Sequence, residues 1–241
     1  MADQEVIKHT KKVFSIWGSK HGFWHKLREF ILEIFIIVFA ISLSIYLHDR
    51  SVLRHQHHET KEFLLGLKED LATDTTEMGE DRESFVKSGQ IFNYISRVKK
   101  GALPSKDTLN KYSRWIFNTT GLVPNSGRFE GFKSAGKVGT IENKKLQNDI
   151  MDLYQEDIPN LILSTNNYTM IKQRLFEYIY KNKVRITDST SNMVKVMPSE
   201  EVFNISYGLL YVDEILQRYD LCLRKMKLII AEIDKEYGKG E

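Results

Sequence analysis

Residues 30–47, FILEIFIIVFAISLSIYL, form an apolar run whose one charged residue is Glu33. Eighteen residues of α-helix reach about 27 Å at about 1.5 Å each, close to a hydrocarbon core of roughly 30 Å that thins slightly to match. No other stretch of the 241 residues is comparably long and free of charge. The run predicts one transmembrane helix over residues 30–47, a basic tail over 1–29 and a large soluble part over 48–241. A freely diffusing enzyme does not fit that layout.

Orientation follows from the flanks. Residues 1–29 carry six Lys/Arg (Lys8, Lys11, Lys12, Lys20, Lys26, Arg28) against three acids, whereas residues 48–70 carry four against five. The positive-inside bias puts the tail in the cytoplasm and the bulk of the chain outside it. Trp17 and Trp24 are expected at the inner headgroup level, where an amphipathic indole is favoured. A cleavable signal peptide is the rival reading. It requires an apolar core of about 7–15 residues and a small-residue cleavage site. Here the run ends in Tyr46-Leu47-His48-Asp49-Arg50, so an uncleaved signal anchor fits better.

The formal net charge is +3, with 28% of residues charged. The excess basicity lies mostly in the tail, where an anionic leaflet accounts for it, and no nucleic-acid partner is expected. Cys222 is the one cysteine, which excludes an intrachain disulfide; it is expected to pack as a small apolar side chain.

Beyond the membrane the chain reads as helical. Ile205, Leu209, Val212, Leu216, Tyr219, Leu223, Met226, Ile230, Ile233 and Tyr237 follow 4-3 spacing, which predicts one long helix over about 199–237 with an apolar stripe. Ser199 supplies a start and Gly238 a stop. A second long helix is expected over about 55–100, because Leu64, Leu71, Met78, Phe85 and Phe92 recur every seven residues. Its seam also holds Asp74, Asp81 and Ser88, which suggests a hydrated middle. No Gly or Pro falls between Ala40 and His58, so this helix should continue out of the membrane as a stalk. Between the two lie a short helix near 109–117, a glycine-rich irregular connection over 118–139, a helix from Thr140 to about 154, and another over 159–182 with Leu161, Met170, Ile171 and Leu175 in its stripe. Residues 184–196 read as a short strand or loop. The fold expected is all-α, a single N-terminal transmembrane helix continuing into a stalk and an elongated bundle of four to five helices.

Four constellations bear on chemistry. Gly131 to Lys137 matches the first seven positions of a phosphate-binding loop, but Val138 stands where the magnesium-binding hydroxyl belongs and no apolar strand precedes it. It reads as a chance match. His48, His55, His57 and His58 follow the span, and His55 and His58 share a helix face with Glu59 and Glu62 nearby. They are weak metal candidates, and a solvated polar segment explains them better. Glu33 is an ionisable group one turn inside the apolar run; it can snorkel to the interface or meet a partner. Ala40 and Ser44 give small-xxx-small spacing, which favours self-association of the span. No nucleophile–base set, zincin pattern or placed carboxylate pair is present, and no cofactor is expected.

The stretch 27–74 resembles the N-terminus of a functionally uncharacterised family of bacterial single-pass membrane proteins. The shared features are Glu33, then Ala40 and Ser44 in the span, then Leu64-Leu65-Gly66-Leu67-Lys68-Glu69-Asp70-Leu71. A second patch, Phe129-Glu-Gly-Phe132-Lys-Ser134-Ala135-Gly136 with Ile141-Glu-Asn143-Lys-Lys-Leu146, is similar to another element of that family. Ala40 stands at the family's glycine, and His48-Asp49-Arg50 replaces its Trp-Asn. The resemblance implies an anchor in the bacterial inner membrane and a helical periplasmic domain, and it implies no activity.

The function expected is a non-enzymatic, membrane-anchored extracytoplasmic interaction or scaffold protein. Its partners would be the lipid bilayer and either further copies, through stalk and C-terminal helix, or other envelope proteins. The alternative is a ligand-sensing bundle that binds an unknown small molecule near Asp74, Asp81 and Ser88. With 29 residues of tail, such a sensor would signal through a partner subunit. A third reading, an enzyme built on the connection 118–139, would need acids or a nucleophile from other helices.

Overall fold

The computed structural model describes residues 23–187 and 190–238. Trp17 and the tail lysines Lys8, Lys11, Lys12 and Lys20 lie outside the described residues. Among the described residues the chain is all-α, with one isolated β-bridge between Arg185 and Ser191. Helix α1 (Phe23–Ser96) is 74 residues long. Gly66 is its first glycine and it has no proline, so nothing interrupts its hydrogen-bond ladder on leaving the apolar run.

The chain divides into two compact units, residues 1–56 and 57–241. In the first, residues 30–47 of α1 are exposed along their whole length. The most apolar window has a mean hydropathy of 2.6 with none of it buried, so the helix is long and apolar enough to cross a membrane. Phe35 and Phe39, one turn apart, stack at 6.2 Å.

The second unit consists of four passes of chain, alternating in direction. The first is α1 from His57 onward. The second, residues 97–143, returns along α1 through α2 (Lys106–Lys111), α3 (Ser113–Phe117), α4 (Gly127–Ser134) and a 3₁₀ turn at Val138–Thr140. Its path is marked by hydrogen bonds to ever earlier turns of α1: Ser105 N to Tyr94, Asn125 N to Asp74, Arg128 to Asp70, and Lys137 to Glu59. The third is α5 (Lys144–Asp152), a π-helical turn (Leu153–Asp157) and α6 (Ile158–Asn182). After α7 (Met193–Val196), the fourth pass returns as α8 (Glu200–Gly208) and α9 (Asp213–Tyr237).

The fourth pass runs antiparallel to α1. Lys68 pairs with Asp234 at 2.5 Å, Arg82 with Asp220 at 2.8 Å and Lys100 with Glu200 at 2.7 Å. From the first pair to the second, α1 advances fourteen residues while α9 retreats fourteen. The C-terminal stripe is therefore consumed within one chain. The buried arc of α9 is Ile215, Tyr219, Cys222, Met226, Ile229 and Ile233, with Leu216, Leu223, Ile230 and Tyr237 on its flank. The 4-3 pattern is as expected, centred one residue away. Cys222 is buried, as a small apolar side chain would be.

Three local expectations are corrected. The helix expected over 199–237 is two helices, because the carbonyl of Leu209, which a continuous helix would give to an amide four residues on, instead accepts from the Tyr168 hydroxyl at 3.3 Å. The break seats Val212 over Gly89 of α1. A Cβ at Gly89 would lie 2.9 Å from a Val212 methyl. Second, the connection 118–139 is not wholly irregular. Phe129 stacks on Tyr154 at 4.5 Å and Phe132 on Phe63 at 3.8 Å, and this aromatic burial holds α4 helical despite Gly127 and Gly131. Third, the helix expected from Thr140 starts at Lys144, where the Asn143 side chain accepts from Leu146 N at 3.1 Å. It does not stop at 154 but joins α6 through the π turn. The inserted residue leaves both Leu153 and Tyr154 buried and resets the phase of the stripe, which runs on as Ile158, Leu161, Thr165, Tyr168, Lys172, Leu175 and Ile179. Met170, expected inside, is 58% exposed.

Two glycines of α1 should respond oppositely to alanine. Gly79 has open space around it, so Gly79→Ala is expected to stabilise by about 0.5–1 kcal/mol through helix propensity. Gly89→Ala is expected to destabilise, because Val212 must move, and Val212→Ala should rescue it. Urea titrations of the three variants measure this, and a Gly89→Ala chain as stable as Gly79→Ala would refute the close approach.

Candidate functional site

The polar residues of the α1 seam all turn inward, and each meets a tyrosine from a later pass. Asp74 is 0% exposed; it accepts from the backbone N–H of Asn125 at 3.1 Å and from its side-chain amide at 2.6 Å. Burial raises its pKa while those two donors oppose the rise. The Tyr154 phenol shares this region. Burial first, and then the charges of Asp74 and Asp70, push it above its ordinary range. Its hydroxyl is buried with no hydrogen-bond partner among the described residues. One heptad on, Tyr219 donates to Asp81 at 3.5 Å. Burial, followed by the charge of Glu77, raises the Asp81 carboxyl to about 6. A further heptad on, Ser88 is hydrogen-bonded to Tyr168. Phe85 sits between the second and third levels, with its ring 5.3 Å from Tyr168 and 5.7 Å from Tyr219.

Below Ser88 lies a small polar cleft lined by Ser84, Ser88, Thr119, Thr120, Tyr168 and Lys172, among others, with a volume of about 10 Å³, the space of one water molecule. Lys172 is 3% exposed. Its ammonium donates to the carbonyl of Trp115 at 2.6 Å and also to that of Asn118, which closes the C-terminal end of α3. It lies 5.9 Å from the Phe92 ring centroid. Burial pulls its pKa down to about 8. The arrangement is a buried cation held by carbonyls and surrounded by hydroxyls. It can order water or present a proton donor, and it has no nucleophile–base pair beside it.

The other residues singled out from sequence fall elsewhere. Glu33, Ala40 and Ser44 are exposed on α1, and their spacing of seven and four places them on one helix face. His55 and His58 are exposed; His58 lies 3.3 Å from Glu62, and His57 lies 3.9 Å from Glu142. Among the described residues no three His, Cys, Asp or Glu side chains are grouped to hold a metal ion. Gly131 lies within α4, so the segment up to Lys137 is not a phosphate-cradling loop. The residues of the family-like patches have packing roles. Leu64, Leu67, Leu71, Phe129, Ile141 and Leu146 are buried, Lys68 and Asp70 make ion pairs to α9 and α4, and Asn143 caps α5. Lys172 is the residue that sequence reasoning missed. Its signal was position, since it occupies the buried stripe between Tyr168 and Leu175.

No family model, curated protein or solved structure matches this chain.

Two titrations probe the seam. Because the folded-state pKa of Asp81 is raised to about 6 from 3.8, its contribution to stability is fully present below the unfolded value and is lost as pH rises through about 6. Asp81→Asn is expected to stabilise the chain by about 1–2 kcal/mol at pH 7.5, with the gain vanishing toward pH 4. Unfolding midpoints of both chains across that range measure it. For Lys172 the folded-state pKa lies below the unfolded 10.5, so the burial penalty is complete below about pH 8 and is relieved as pH rises toward 10.5. Relative to Lys172→Met, the native chain should gain on the order of 2 kcal/mol across that window. Parallel pH profiles of the two chains would exclude a titrating Lys172.

Proposed function

We propose that this chain is a single-pass membrane anchor whose helical bundle serves as a non-enzymatic interaction module on the extracytoplasmic side of a bacterial inner membrane. The observation that carries the reading is the uncovered apolar helix at residues 30–47. Eighteen consecutive residues exposed to solvent would cost far more than a soluble protein tolerates, and a bilayer removes that cost at about 25 cal/mol per Å² of apolar surface. The basic bias before the span supports a cytoplasmic N-terminus. The resemblance of residues 27–74 to single-pass bacterial membrane proteins supports the same placement. With the C-terminal stripe used inside the chain, contacts to further copies or other envelope proteins fall to the face of the span that carries Glu33, Ala40 and Ser44.

A second reading, a ligand-sensing bundle, draws on the hydroxyl-lined cleft at Lys172. It requires the cleft to widen, because one water fills it.

Cysteine labelling tests the topology. Cys222 is buried and its thiol is pushed up to about 12, so it should not react with a maleimide in the folded chain. Ala102→Cys, in an exposed turn, should react with a membrane-impermeant maleimide in intact spheroplasts. Labelling of Ala102→Cys only after lysis would place the bundle in the cytoplasm, and release of the chain by alkaline carbonate would remove the anchor altogether. Mild-detergent extraction with mass spectrometry of co-purifying proteins then separates scaffold from sensor.

A further inference from the structure

The second unit is strongly polarised in charge. Segments 97–118 and 177–201 hold ten Lys/Arg against five Asp/Glu, a formal +5. The rest of residues 57–238 holds sixteen against twenty-one, a formal −5. The structure brings the two basic segments to one end of the unit, where α1 stops. Ser105 N donates to Tyr94 in the last turns of α1, the Phe117 ring lies 6.4 Å from Tyr180 in the last turns of α6, and Lys100 pairs with Glu200 at 2.7 Å. All ten cations are exposed. From His57 to Ser96, α1 is forty residues long, so this end lies about 60 Å along the helix from where α1 enters the unit.

The same end carries uncovered apolar side chains. Leu103, in the turn after α1, Tyr180, in the last turn of α6, and Val184 and Ile186, just after it, are 61–64% exposed. Val184 and Ile186 sit on a hydrogen-bonded hairpin, with Val184 N donating to the Asn192 side chain at 2.6 Å and Ile186 N to Thr190 O at 2.9 Å. They flank Arg185, which forms the isolated bridge to Ser191. A soluble polyanion would use the cations and leave these side chains in water. A bilayer with anionic headgroups satisfies both, taking the apolar tips at its headgroup boundary and the lysines at its phosphates.

We propose that this end of the bundle is a peripheral docking surface for an anionic lipid bilayer, distinct from the apolar span and independent of which membrane the span occupies. The full chain, reconstituted in phosphatidylcholine nanodiscs, should co-float with separate vesicles containing phosphatidylglycerol and not with vesicles of phosphatidylcholine alone. Capture should fall steeply as salt approaches about 1 M, where charges are screened beyond about 3 Å. The variant Lys106→Gln/Lys111→Gln/Lys181→Gln/Lys183→Gln should bind about fivefold more weakly per cation removed. Val184→Ser/Ile186→Ser should bind about tenfold more weakly with an unchanged salt slope. These side chains are exposed, so circular dichroism should show each variant folded. Equal capture by neutral vesicles, or unchanged capture by the lysine variant, would overturn the proposal. Binding of heparin without capture of any vesicle would also overturn it and assign a polyanionic polymer instead. A chain that elutes apart from the nanodiscs refutes the span, and its vesicle binding is then read directly.

Discussion

The bundle is organised by one face of α1. Leu64, Leu67, Leu71, Met78, Phe85 and Phe92 are buried on it, and the three later passes of chain are all laid against it. Because α1 is uninterrupted, its face is a ruler, and the partners of each pass can be placed along it by residue number. Within α9 the fourth pass keeps its register with α1 from Lys68–Asp234 to Arg82–Asp220; at Lys100–Glu200, beyond the break between α8 and α9, it has shifted by two residues.

Polarity inside the bundle is arranged on the same ruler. Asp74, Asp81 and Ser88 recur every seven residues, where a purely packed core would place apolar side chains, and each is answered by a tyrosine from α9 or the third pass. At Asp81 the Tyr219 phenol offers a large apolar ring to the core and a hydroxyl to the acid, whereas buried Asp74 is satisfied by the backbone and side-chain N–H groups of Asn125. Burial displaces proton affinities along the way, Asp81 upward on the seam and Lys172 downward on α6.

The apolar helix in the first unit and the basic end of the second give the chain two surfaces of different chemistry, one suited to hydrocarbon and one to anionic headgroups. The rest of the second unit's surface carries local ion pairs such as Arg218–Glu214 and Lys87–Glu83, which favour solubility and contribute little to stability.

Periodicity and charge in the sequence alone determined the apolar helix, the all-α class, the unbroken passage of α1 out of the apolar run, the burial of Cys222 and the heptad positions of the seam, because each depends on local composition and on helix geometry. The stop at Gly238 was legible for the same reason. Only the tertiary structure decided that the C-terminal stripe turns back onto α1 within the chain, since a 4-3 pattern serves either partner equally. It also decided the break at Leu209, which depends on the hydroxyl of Tyr168 from another pass, and the helicity of α4, which depends on Tyr154 and Phe63. Lys172 reads as a surface residue by type, and it becomes a buried cap only because the end of α3 delivers two carbonyls to it. Residues near in sequence reveal a helix; what those helices bury is set by groups far away in the chain.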